Sequence, residues 1–145
     1  MSDIEINKQR IQDLVMGSPF LQHINFELKS VSKSQFSGTL EMMDFHKQQK
    51  GFLHGGVTAT LLDVAMGFSC YTILSENAHV VTADLRISYF NPIERGVLSV
   101  TGKIEKAGSR LIFCSGELLS DSRVKIAQGT STMAVVSEND LRKKP

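Results

Sequence analysis

Residues Ile4 to Val15 set Ile4, Ile11, Leu14 and Val15 on roughly one face with charges between them, the spacing of an amphipathic helix. Gly17-Ser18-Pro19 ends that pattern, and Phe20 to Ile24 suits a further short turn or helix. The period then changes to two. Phe36, Gly38, Leu40 and Met42 alternate with Ser37, Thr39 and Glu41, which predicts a half-buried strand. Lys29 to Ser34 reads as the turn from an earlier strand near Asn25–Lys29, and Asp44 to Gly51 as a polar loop. Beyond Ser75-Glu76-Asn77 the alternation returns. Ala83, Leu85, Ile87 and Tyr89 take one face, with Asp84, Arg86 and Ser88 on the other. Asn91-Pro92 stops this strand, because proline cannot donate to the ladder. Leu98, Val100 and Ile104 alternate with Ser99, Thr101, Lys103 and Glu105, and Gly108-Ser109 predicts a tight turn. Arg110 to Leu119 is a further strand and Ser120-Asp121-Ser122 a further turn. Lys125 to Val136 is the last strand, with Ala127, Gly129, Met133 and Val135 on one face. The polar tail from Ser137 onward is expected to fray.

Between the two groups of strands lies Val57 to Leu74, apolar on nearly every side and about as long as a membrane span. It contains Asp63, three threonines and a serine, and neither Lys nor Arg directly flanks it. We therefore read it as a helix buried within the fold, with no membrane partner. The order is a helical start, two strands, one long helix, then four strands. Strands joined by short turns make an antiparallel sheet. A helix with so little polar surface needs covering, which a strongly curved sheet wrapped around it provides in an α+β arrangement. A single domain over residues 1–145 is expected, with an N-terminal helix at about 4–16 and a polar tail at about 137–145.

Composition narrows the function classes. The 145 residues carry 16 Lys and Arg against 15 Asp and Glu, a formal net charge of +1, which speaks against a nucleic-acid backbone binder. Cys70 and Cys114 lie far apart in the chain with no CxxC pair, so they are expected as reduced structural thiols. The start Met1-Ser2-Asp3-Ile4-Glu5 lacks the look of a signal peptide, and a cytoplasmic location is the default expectation. His23, His46 and His79 are scattered without a metal-ligand spacing, so no metal and no cofactor are expected.

The chemistry concentrates between Gly51 and Asp63. Asp63 is the only charged side chain between Val57 and Ser75. A carboxylate there must be hydrogen-bonded, solvated in a cleft or protonated. Ala59, Met66, Gly67 and Cys70 are its neighbours on the helix surface, and they are mostly small. His54-Gly55-Gly56 opens the helix. Glycines there leave backbone N–H groups accessible, at a terminus whose partial positive charge suits a developing oxyanion. Such a helix start and a carboxylate nine residues after His54 supply two of the roles that acyl transfer or hydrolysis needs.

The segments HGGVTATLLD, VTADLRISYFNP and AQGTSTM, in this order of elements, resemble the hotdog-fold thioesterases of the PaaI-like (phenylacetate-pathway) branch over roughly Phe20 to Val136. The resemblance implies a hotdog fold and hydrolysis of acyl-CoA thioesters, or of acyl groups on a carrier protein. It gives the nucleophile or general-base role to Asp63, carbonyl polarisation to the Gly55 N–H, and a place beside the thioester to His54. A side-chain amide six residues before the histidine falls on Gln48, with Gln49 one loop position away. A hydroxyl that holds the attacking water falls on Thr82, which strand parity puts on the polar face with Asp84 and Arg86. The resemblance further implies a homodimer, often a dimer of dimers, in which Asp63 of one subunit faces His54, Gly55 and Gln48 of the other. An edge-rich sheet and a half-covered helix favour the same pairing.

Coenzyme A, as part of the substrate, needs cations for its phosphates. Lys106 and Arg110 around the Gly108-Ser109 turn are the first candidates, ahead of Lys47, Lys50 and Arg86. Asn91 is similar to a residue of the family's nucleotide-facing loop, and Gly56 stands at the same helix start. Phe52, Met66, Phe68, Tyr71 and Phe90 are candidates for acyl contact. Two other classes of function remain open at this point. One is a non-catalytic acyl-CoA-binding hotdog protein, against which Asp63 speaks. The other is an enoyl-thioester hydratase or dehydratase, whose Asp and His spacing is not found.

Overall fold

The computed structural model describes residues 1–143. Helix α1 (Asp3–Met16) starts on a capping box in which the Ser2 side chain accepts from the Glu5 N–H and the Glu5 carboxylate accepts from the Ser2 N–H. Its inner face buries Ile11 and Val15, while Leu14 stays at the rim. A short helix α2 (Pro19–His23) follows, capped by Ser18 with proline at its first position. Strands β1 (Phe26–Ser32) and β2 (Gln35–Glu41) form a hairpin. The turn is shorter than the expected Lys29–Ser34. A bulge between Leu28 and Ser30 absorbs one residue, so pairing runs on to Ser32, and Ser34 closes the turn at φ 64°.

Helix α3 (Gly55–Tyr71) is the central helix, and β3 (Ala78–Tyr89), β4 (Val97–Ala107), β5 (Leu111–Leu119) and β6 (Lys125–Ser137) complete one antiparallel sheet. The strand order is β1-β2-β4-β5-β6-β3. β3 is therefore carried across the helix to the far edge, where it pairs with β6. The sheet curves around α3 without closing, the hotdog arrangement, and the helix packs on β2, β4, β5, β6 and β3. Leu61, Leu62, Ala65, Met66, Ser69 and Cys70 face the sheet and are buried. Gly102 lets β4 approach closely, because a Cβ there would stand 2.2 Å from the Ala65 carbonyl oxygen. Phe36, Leu40, Leu98, Ile112, Leu118 and Met133 close the core from the sheet side, each burial contributing about 2 kcal/mol.

Two further expectations change, and one gains detail. The segment after Ser137 does not fray at once, because Glu138–Leu141 forms a short helix α4 capped by the Ser137 hydroxyl. Glu138 ties it back, with its carboxylate accepting from His79 Nε2 at 2.6 Å. Positions 144–145 of the expected tail lie outside the described residues. Cys70 and Cys114 are free and buried as expected, yet far from separate, with their sulfurs 3.4 Å apart between α3 and β5. The hydrogen bond to Cys114 and burial push the Cys70 thiol well above the usual range. Lastly, β3 carries a bulge between Thr82 and Asp84, with consequences for the site.

Candidate active site

The start of α3 is held from below by His46, which the sequence offered only as one of several scattered histidines. His46 is buried, with Nε2 donating to the Ile24 carbonyl and Nδ1 accepting the Met43 N–H, 2.8 and 2.9 Å away. Its own carbonyl accepts the His54 N–H at 2.9 Å. His54 is the N-cap residue, extended at ψ 133°, and its Nδ1 accepts the Gly56 N–H at 2.8 Å. The ring therefore carries its proton on Nε2, which is exposed as a donor. A Cβ on Gly56 would meet His54 Nδ1 at 3.0 Å, so glycine is what lets this cap form. The Gly56 N–H is thereby committed within the chain. The Gly55 N–H, at the first helical position, has no acceptor among the described residues.

Gly55 borders a cavity of about 360 Å³ that Gln48, Phe52, Phe90, Asn91 and Ile93 also line. Five of the residues singled out in the sequence, Gln48, Phe52, Gly55, Phe90 and Asn91, are thus brought together. Of the two loop glutamines, Gln48 lines the cavity and Gln49 does not. The Gln48 Oε1 accepts the Lys50 N–H, which leaves its Nε2 hydrogens free to donate. Asn91 Nδ2 donates to the Lys125 carbonyl at 2.8 Å, anchoring the loop after β3. Phe90 is half exposed at this mouth, whereas Met66 lies in the core. Sequence reasoning missed Tyr89 as a site residue. Its hydroxyl donates to the Gly55 carbonyl at 2.8 Å across from the end of β3. The available signal was its place on the same strand face as Leu85 and Ile87.

Asp63 stands apart from this group. Eight residues of helix put it about 12 Å along the axis from Gly55. It is half-buried, and Oδ1 accepts the Thr82 hydroxyl at 2.7 Å. Thr82 therefore faces the helix, which corrects the parity reading that set it with Asp84 and Arg86. The bulge is the reason. Thr82 pairs with Met133 and Asp84 with Thr132, so Ala83 is the extra residue and the alternation restarts after it. Ala83 itself is exposed rather than on the helix side, and Leu85 and Ile87 resume that side.

Lys106 and Arg110 are exposed at the β4–β5 turn, remote from the Gly55 cavity. The Arg110 carbonyl accepts the Val135 N–H, two residues along β6 from Met133, the partner of Thr82. Tyr89, by contrast, pairs with Ala127, about 20 Å along β6 from Met133. The two cations thus accompany Asp63 and Thr82, not Gly55. Among the described residues no group of three His, Cys, Asp or Glu side chains gathers where it could hold a metal ion. None of the described helices is long and apolar enough to cross a membrane.

The family model described as Thioesterase superfamily matches residues 50–127, which span the α3 start, Asp63, Thr82 and the loop after β3. The chain belongs to this superfamily, and its enzyme class is thioester hydrolase. It is similar to the medium/long-chain acyl-CoA thioesterase YigI of Salmonella typhimurium, 28% identical over 83% of this chain and 88% of that one. It is also similar to acyl-coenzyme A thioesterase 13 of Mus musculus, 29% identical over 91% of this chain and 96% of that one. Among solved structures, the PaaI protein of Escherichia coli superposes with a TM-score of 0.86 at 14% identity, over 94% of this chain and 97% of that one. A thioesterase family protein from Silicibacter pomeroyi gives 0.85 at 21% identity, over 90% and 98%. At these identities the superpositions establish the fold.

Proposed function

We propose that the protein hydrolyses acyl-CoA thioesters to a free acid and coenzyme A, with Asp63 as general base or nucleophile and the Gly55 N–H as oxyanion donor. The observation that carries this reading is the Asp63–Thr82 pair on a helix face that the chain leaves half open. Thr82 engages Oδ1, which leaves Oδ2 for a water or for the carbonyl carbon, and the hydroxyl oxygen keeps a lone pair for that water. The unpaired Gly55 N–H, Gln48 Nε2 and His54 Nε2–H are donors of the kind that a thioester carbonyl becoming an oxyanion requires. The relatives named as acyl-CoA thioesterases support acyl-CoA as the substrate.

Asp63 and Gly55 of one chain are too far apart to act on one carbonyl, so the reading requires a second copy. In a homodimer, Asp63 and Thr82 of one protomer face Gly55, Gln48 and His54 of its partner. The outer edge of β3, without a strand partner among the described residues, and the half-covered face of α3 support that pairing. Pairing those dimers again into a tetramer is part of the same reading. Lys106 and Arg110 then stand on the Asp63 side as cations for the coenzyme A phosphates, with Asn91, Gly56 and Phe52 on the partner's side of the bound substrate.

The test is thiol release from short, medium, long and aromatic acyl-CoAs by wild type and Asp63→Asn, with mass measurement of the oligomer. Release by wild type alone, from a dimer or tetramer that the variant retains, is the expected result. Equal release by both removes Asp63 from the chemistry. Tight binding without release from any member makes the protein an acyl-CoA binder, and release only from acyl-carrier-protein thioesters moves the substrate to that class.

A further inference from the structure

We propose that Tyr89 is the positioning residue for the oxyanion donor, an inference that rests on the Gly55 reading above. Two consecutive glycines are the most pliable link a chain can have, and Gly55-Gly56 stands where a donor must point in one direction. The structure ties both peptide planes that flank Gly55. On one side, the His54 carbonyl accepts the Val57 N–H at 2.9 Å and the Thr58 N–H at 3.3 Å. On the other, the Gly55–Gly56 peptide gives its N–H to His54 Nδ1 and takes the Tyr89 hydroxyl on its carbonyl, each at 2.8 Å. The donor N–H lies in the first plane, and its direction relative to the cavity also depends on how the second plane, and with it the helix start, is held against the strand that borders the cavity.

Three of these four ties come from the loop and first turn that carry Gly55 itself. Tyr89 alone comes from another element, β3, and so fixes the helix start to the strand that borders the cavity. Its contribution is the hydrogen bond rather than burial. The side chain is 55% exposed, and its ring would lie at an ordinary 3.6 Å from a Cβ at Gly55. Removing the hydroxyl therefore leaves the fold intact and loosens the helix start against β3.

The experiment compares Tyr89→Phe and Gly55→Pro with wild type on acyl-CoAs of several chain lengths. Proline suits the first helical position, and the extended His54 suits the residue before a proline, so Gly55→Pro is expected to fold. For Tyr89→Phe we expect kcat to fall about fivefold to tenfold, with KM within about twofold and the thermal midpoint within about 1 °C. The loss is the same for every acyl length, because the donor addresses the carbonyl common to all of them. Normal kcat in Tyr89→Phe beside a slowed Gly55→Pro overturns the role of Tyr89 and leaves the oxyanion donor standing. A wild-type rate in folded Gly55→Pro overturns both. A loss that grows with chain length, or one matched by a fall in thermal midpoint, makes Tyr89 an acyl contact or a structural residue and overturns the proposal.

Discussion

The two ends of α3 are built on opposite plans. At its start, a histidine cap takes the second glycine's N–H and leaves the first unpaired at a cavity mouth. At its finish, the chain encloses the helix. Thr72 is buried; its hydroxyl donates to the Ser69 carbonyl and accepts the Ser34 N–H, while its own carbonyl accepts from Asn7. Arg10 donates to the Ser75 and Ala78 carbonyls and lies 4.8 Å over the Tyr71 ring. The Tyr71 hydroxyl meets His79, which in turn meets Glu138, and burial pushes the Tyr71 phenol above its usual range. The Ser69, Cys70 and Thr72 carbonyls all find donors within the protein, and a helix end answered in this way contributes stability. One left with a donor free gives up some stability and keeps a group for chemistry. The contrast predicts that substitutions at the start and open face slow turnover without unfolding, and that substitutions at the finish do the reverse.

The largest effect is expected for Asp63→Asn. Loss of a general base or nucleophile lowers kcat by about 10³-fold, with the thermal midpoint held within about 2 °C. A midpoint that collapses instead would make Asp63 a structural residue and erase its place on the open face. Gly55→Pro comes next, at about 3 kcal/mol in the barrier, measured as kcat in a variant whose circular dichroism is unchanged.

At the closed end, Arg10→Ala removes two charge-assisted hydrogen bonds and a cation–π contact. It is expected to cost about 2 kcal/mol, read as a thermal midpoint lowered by about 6 °C with kcat per folded enzyme unchanged. A lowered kcat with a normal midpoint would break the comparison from that side. Thr72→Val orphans the Ser34 N–H and costs about 1–2 kcal/mol in denaturant titration.

The smallest effect concerns Glu138. Its bond from Arg142, helped by the His79 charge, holds the carboxyl below its ordinary value of 4.5. A depressed carboxylate stabilises the fold above that ordinary value and loses its effect as pH falls through the depressed one. The midpoint difference between wild type and Glu138→Gln should therefore be small at neutral pH and vanish in acid. A difference that grows as pH falls contradicts the sign.

Much of this was legible in the chain because periodicity is local. Six strands, a long helix, an amphipathic start and the faces of β2, β4 and β6 follow from residues two or four apart. The reading failed where one residue was inserted or where distant segments met. Ala83 is such an insertion, and nothing in the alternation of β3 announces that Thr82 and Leu85 share a side. The β1 bulge hid the true turn in the same way. The contact between Tyr89 and Gly55 joins residues 34 apart, and that between Glu138 and His79 residues 59 apart, so neither leaves a local signature.

The sequence by itself determined the element order, the apolar helix, and the presence at its start of two glycines with a lone carboxylate further along. Those are properties of side chains and spacing, fixed before any folding. The tertiary structure decided which edge β3 joins, which N–H is left unpaired, which hydroxyl reaches Asp63, and that Asp63 and Gly55 of one chain cannot meet. A rigid helix fixes the distance between them, and a sheet that remains open leaves one face of that helix half-covered.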